Sequence, residues 1–141
     1  MKITKIISLI NTKLAGELLT KQELMPFLDN VIDDINDRLN SCFPAFSELE
    51  PEVTDYDFFP DRYIRQAVVQ GAAWYYYVTD EEGAQAAMQY QTLYQSALFM
   101  MTRDYSEAVP LQYQILERNG GVQFEFEDAV GLSVGNTEGV D

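Results

Sequence analysis

Apolar residues recur at helical spacing over most of the chain and alternate with polar ones only near its end. Ile3, Ile6, Ile7, Ile10 and Leu14 share one helical face, which predicts a short amphipathic helix with its lysines mostly on other faces and Gly16 as its stop. Thr20-Lys21-Gln22-Glu23 reads as a capping box, in which the Thr20 hydroxyl and the Glu23 carboxylate each satisfy a free backbone N–H, so a second helix begins there. Its apolar stripe is Leu24, Leu28, Val31, Ile32, Ile35 and Leu39, and Pro26 should remove one hydrogen bond and bend the first turns.

From Ser41 to Phe59 the periodicity stops: Pro44 and Pro51 stand among five carboxylates and several aromatics, with no basic residue. Phe43, Phe46, Tyr56, Phe58 and Phe59 argue that this long loop wraps the core. Pro60 suits a first helical position, and Tyr63, Ile64, Ala67, Val68, Gly71, Ala72 and Tyr75 continue a third helix to about Val78. Thr79-Asp80-Glu81-Glu82 reads as a second capping box, opening a fourth helix with Ala84, Ala87, Met88, Tyr94, Leu98 and Met101 on one side. The pair reads as an αα-hairpin, with a single kinked helix as the alternative.

After Asp104 the period changes to two. Val109, Leu111, Tyr113 and Ile115 alternate with polar residues or proline, as do Val122, Phe124 and Phe126, and Asn119-Gly120-Gly121 between them tolerates positive φ. A β-hairpin or extended arm is expected, followed by a Gly-rich polar tail. The fold class expected is therefore mainly α, a small bundle of about four helices (residues 1–106) with a long loop and a C-terminal arm (residues 107–141).

Composition narrows the chemistry. A length of 141 residues suits one core, and no apolar run approaches the roughly 20 residues that span a bilayer. The absence of histidine and the single cysteine, Cys42, exclude His/Cys metal sites, disulfide scaffolds and imidazole-activated nucleophiles. Cys42 has no nameable base beside it and reads as a small loop hydrophobe. Paired carboxylates are uninformative among 23 acids, and there is no Gly-rich phosphate loop, so neither an enzyme nor a cofactor is expected. Met1 to Leu14 only superficially resembles a signal peptide, because Ser8, Asn11, Thr12 and Lys13 break the apolar run; a cytoplasmic protein is expected. The net charge is −14, with +3 over residues 1–21 and −17 over the rest, so the acidic body should repel nucleic acid and anionic lipid.

Two constellations stand out. Trp74-Tyr75-Tyr76-Tyr77 sweeps the whole circumference of a helix: either that helix is surrounded by its own chain, or some of these aromatics cover another subunit. We read Trp74, Tyr76, Tyr77, Phe99 and Met100 as subunit-interface residues and Val122, Phe124 and Phe126 as a partner-binding arm. Asp29, Asp33 and Asp37 stack on one helix face as a solvated acidic surface, and Asp34 to Arg38 reads as an ordinary supporting pair.

The stretch Phe59-Pro60-Asp61-Arg62-Tyr63-Ile64-Arg65-Gln66, continuing through Gly71-Ala72-Ala73-Trp74-Tyr75-Tyr76-Tyr77, resembles tailed-bacteriophage head–tail connector (adaptor) proteins of the neck. So do Tyr90-Gln91-x-x-Tyr94-Gln95 and Met101-x-Arg103-Asp104-Tyr105-Ser106. The resemblance covers about residues 20–106. It implies a structural virion protein, repeated in a ring usually of twelve, docked beneath the portal protein and joined to the tail or another neck protein. DNA would pass through the ring without specific binding, and the protein would move from the host cytoplasm into the virion neck. The competing class is an acidic DNA mimic that occupies a basic nucleic-acid-binding partner.

Overall fold

The computed structural model describes residues 1–80 and 82–115. Within them the protein is mainly helical: α1 (Ile3–Asn11), α2 (Lys21–Leu39), α3 (residues 61–78), α4 (Ala84–Arg103) and a single turn, α5 (Tyr105–Ala108). No strand ladder forms among the described residues; two isolated antiparallel bridges join Lys2 to Asp55 and Ser41 to Gln114. None of the described helices is long and apolar enough to cross a membrane.

The α2 terminus forms as its sequence dictates. Thr20 accepts the Glu23 N–H at 3.2 Å, and Glu23 accepts the Thr20 N–H at 2.9 Å. Leu24, Leu28, Val31, Ile32, Ile35 and Leu39 are all buried. The helix continues through Pro26, and both Pro26 and Gln22, whose carbonyl loses its partner there, lie exposed to water. At the other end Asn40 takes the left-handed conformation (φ 53) that closes helices. The Asn36 amide then holds the departing chain, its Oδ1 accepting from Phe43 N–H and the Ser41 hydroxyl while its Nδ2 donates to the Phe43 carbonyl.

The segment after α2 wraps the core, with one 3₁₀ turn at Phe46–Glu48. Phe46 stacks on Tyr56 at 4.3 Å between centroids, Phe43 packs edge-on to Phe59, and the buried Tyr56 hydroxyl donates to the Pro44 carbonyl at 2.7 Å. Burial pushes the Tyr56 phenol well above its ordinary range, as suits a hydroxyl that acts only as a donor.

Helix α3 is central, packed against α1, α2 and α4. After one α-turn at Asp61–Tyr63 it winds as a π-helix over Ile64–Val69 and returns to α geometry over Gln70–Val78. That i→i+5 stretch brings Ile64, Ala67, Val68 and Val69 all into the core. Gly71 lets α4 approach closely: a Cβ there would lie 2.7 Å from the Tyr94 ring and 2.8 Å from Val31.

Two local expectations fail. Thr79 and Glu82 do not cap α4, which begins at Ala84 after Gly83 with no side-chain cap among the described residues. Thr79 and Asp80 instead close α3: their N–H groups donate to the Tyr76 and Tyr77 carbonyls, the Thr79 hydroxyl donates to the Tyr76 carbonyl, and Asp80 accepts the Glu82 N–H. The turn brings Gly83 so near Tyr77 that a Cβ would sit 2.9 Å from its carbonyl oxygen, and the two long helices form an αα-hairpin.

The expected strand at residues 109–115 is also absent. Pro110 initiates a 3₁₀ turn at Leu111–Tyr113, and burial does not alternate, since Val109 is buried while Leu111 is 77% exposed. Only residues near Gln114 pair, with Ile115 N–H donating to the Asn40 carbonyl and Cys42 N–H to the Tyr113 carbonyl. The second expected strand, with Val122, Phe124 and Phe126, lies outside the described residues.

At the foot of the hairpin Arg103 donates twice to Asp104, and the Tyr63 hydroxyl adds a third, longer bond. These donors, Arg103 foremost, hold the Asp104 carboxyl below its ordinary range. A depressed folded value means stability that is present above the unfolded value and lost as pH falls through the folded one. Thermal melts below about pH 4 should therefore show an acid-sensitive component in the wild type that Asp104→Asn lacks; identical pH profiles would contradict the assignment.

Candidate functional site

The outward face of α4 is the surface that departs most from an ordinary solvated helix. Between Ala84 and Arg103 the only charged residue is Arg103 itself, in a chain where charged residues make up 23%. Ala87, Tyr94, Ala97, Leu98 and Met101 point into the core. Eleven residues are close to three helical turns, so Met88 and Phe99 share the opposite side, with Leu93 and Met100 along its flank. Met88 is 69% exposed, Phe99 65% and Leu93 42%, and the residues between them are Gln, Thr and Ser. Charge depletion together with Met and aromatic exposure is the composition of a protein–protein interface centre rather than of a wet surface.

The expected interface residues divide. Phe99 lies fully on this face and Met100 is half-buried at its edge. Trp74 is half-buried, packed against Tyr75 (4.6 Å between centroids) and Tyr94 (5.8 Å), and it shares a cavity of about 230 Å³ with Gln95 and Leu98 of α4. Tyr76 is half-buried with its ring edge-on to Phe27. Tyr77 is a correction: it is buried in the chain's own core, stacked on Tyr90, with its hydroxyl donating to the Lys13 carbonyl at 2.7 Å. Helix α3 is surrounded by its own chain closely enough to absorb that tyrosine. Ala84 and Met88, expected on the apolar side of this helix with Ala87, Tyr94, Leu98 and Met101, are instead exposed, and Leu93 stood outside that stripe, so periodicity marked neither Met88 nor Leu93 as surface. The missing charges from Ala84 to Thr102 are the signal that finds them.

The Trp74 cavity is bordered by a polar seam. Tyr75 and Tyr94 both donate to Oδ2 of Asp34, at 2.5 and 2.8 Å. Burial first, and then the bonded carboxylate, push both phenols far above their ordinary range, so both remain protonated donors. Asp34 therefore ties α2 to α3 and α4. Its expected pairing with Arg38 is replaced: the Arg38 guanidinium donates to the Gln95 side chain at 2.9 Å. The seam holds three helices in register beneath the outward face of α4.

The acidic residues of α2 also separate. Asp29 is half-buried and accepts the Ser47 N–H at 3.2 Å, fixing the loop, while Asp33 and Asp37 are exposed. Among the described residues, no group of three or more Cys, Asp or Glu side chains is placed to hold a metal ion. Cys42 is exposed, with its sulfur 3.4 Å from the Tyr113 carbonyl.

No family model, curated protein or solved structure matches the chain.

Proposed function

We propose that this protein is a structural virion component, a ring-forming head–tail adaptor that docks beneath the portal and joins it to the tail or the next neck component. The observation that carries the reading is the charge-free outward face of α4, with Met88, Leu93 and Phe99 exposed on a chain of net charge −14. In a ring, that face lies against the neighbouring subunit. The acidic remainder lines or surrounds a DNA path without gripping it, because carboxylates repel phosphates. The role is scaffolding, with no catalytic step and no cofactor, and the protein passes from the host cytoplasm to the virion neck. Like charge opposes association of free subunits, so the ring closes on the portal, which holds the copies together.

The test is electron microscopy of the chain mixed with the portal protein of the same phage. The wild type should form a ring, expected to be of twelve copies, stacked on the portal. Phe99→Glu places a charge in the centre of the interface and should abolish the ring while leaving the helical circular dichroism unchanged. A wild-type chain that ignores the portal, but competes with duplex DNA for a basic protein, would overturn the reading in favour of a DNA mimic acting through acids such as Asp33 and Asp37.

A further inference from the structure

The 9 cations of this chain face 23 acids, yet not all are paired. Lys2 lies beside Asp55, Arg62 beside Glu107 and Arg103 beside Asp104, whereas Lys13 and Arg65 make no ion pair among the described residues. Both line one pocket of about 220 Å³ between the end of α1 and the π-helical part of α3, together with Leu9, Gln66, Val69 and Gln70.

Three observations distinguish this pocket from a chance hollow. Lys13 is held from behind: its carbonyl accepts the Tyr77 hydroxyl at 2.7 Å and the Tyr90 hydroxyl at 3.5 Å, from two rings that stack 5.6 Å apart. Gln70, whose buried Oε1 has no hydrogen-bond donor among the described residues, an uncommon state for a polar atom, borders the pocket. The wall that carries Arg65, Gln66 and Val69 is the π-helical stretch Ile64–Val69, a geometry that gathers at functional sites.

The lining states what would fill it. Two cations require an anion, and Leu9 and Val69 offer apolar walls to methylene groups. An aspartate or glutamate within a peptide carries both, as carboxylate and side-chain stem. The volume falls below the roughly 300–1,000 Å³ usual for small-molecule sites, and suits one side chain.

We propose that this pocket receives an acidic side chain from a second copy of the chain, with Lys13 and Arg65 binding its carboxylate. Charge complementarity selects the occupant: each copy carries 23 acids, and Asp33 and Asp37 stand exposed with no ion-pair partner among the described residues. Where each copy gives its acid to the next copy and receives one from the copy before, the contact is heterologous, head to tail, the kind that closes rings. The inference rests on the ring reading and adds a polarity to it.

Carbodiimide coupling tests it, because it joins a lysine to a carboxylate only in direct contact. Equal amounts of ¹⁴N and ¹⁵N full-length chain, mixed with portal, are coupled, digested and weighed by mass spectrometry. Lys13 should appear joined to an Asp or Glu peptide of mixed isotope, while Lys2–Asp55, 3.9 Å apart within one chain, gives unmixed pairs. Arg65→Gln, an exposed position, should lower the mixed Lys13 product roughly tenfold without changing the helical circular dichroism. Mixed peptides at other lysines with none at Lys13 would overturn the pocket and leave the ring reading standing. No mixed peptide at any lysine would overturn both.

Discussion

Tyr94→Ala should cost about 3–5 kcal/mol of folding stability, whereas Tyr94→Phe should cost only about 1–2 kcal/mol. Tyr94 is fully buried, lies against Gly71 and packs beside the Trp74 ring, so truncation to alanine opens a cavity where three helices meet. Removing the hydroxyl alone leaves the ring in place and deletes one donor to Asp34, which keeps the Tyr75 hydroxyl. The gap between the two variants separates packing from hydrogen bonding at this site. Urea melts followed by circular dichroism give both numbers. Equal costs would mean that the bond to Asp34, not the fit of the ring against Gly71, holds α4 on the bundle. A cost near zero for alanine would contradict the burial itself.

This seam also shows what a sequence reading reaches. The capping box at Thr20 and Glu23 was legible because all its parts lie within four residues, and it forms in both directions. The same pattern at Thr79 misleads: the end of α3 uses those N–H groups first, and tight contact at Gly83 sets where α4 begins. Asp34 looked like the partner of Arg38 because a helix places i and i+4 together, yet its partners come from 41 and 60 residues away. Periodicity carries no information about such distances. The alternation at residues 109–115 suggested a strand, but Pro110 starts a turn there, and no neighbouring strand among the described residues is present to stabilise extended backbone. On the outward face of α4, Phe99 was visible as an apolar excess in the sequence. Tyr77 looked equivalent to its neighbours, because four consecutive aromatics have no distinguishable faces until α1 and α4 close around α3.

Ile64→Ala should destabilise the fold by about 2–5 kcal/mol, with a cost toward the upper end. Ile64 is fully buried and stands at the first position of the π-helical stretch, which touches α1, α2 and α4. The cost of a cavity depends on how far its walls relax inward. Here the walls belong to three separate helices, and α2 and α4 are further tied through Asp34, so those two do not move inward independently. The neighbouring Arg65 supplies the internal contrast: it is exposed, and Arg65→Ala should change stability by no more than about 0.5 kcal/mol. Denaturant melts of the two variants compare adjacent residues on one turn of helix. A surface-like cost for Ile64→Ala, below about 0.5 kcal/mol, would mean that the π-helical stretch does not bury this side chain. A large cost for Arg65→Ala would instead show that the cationic pocket helps hold the fold, and its residues could then not be kept for binding alone.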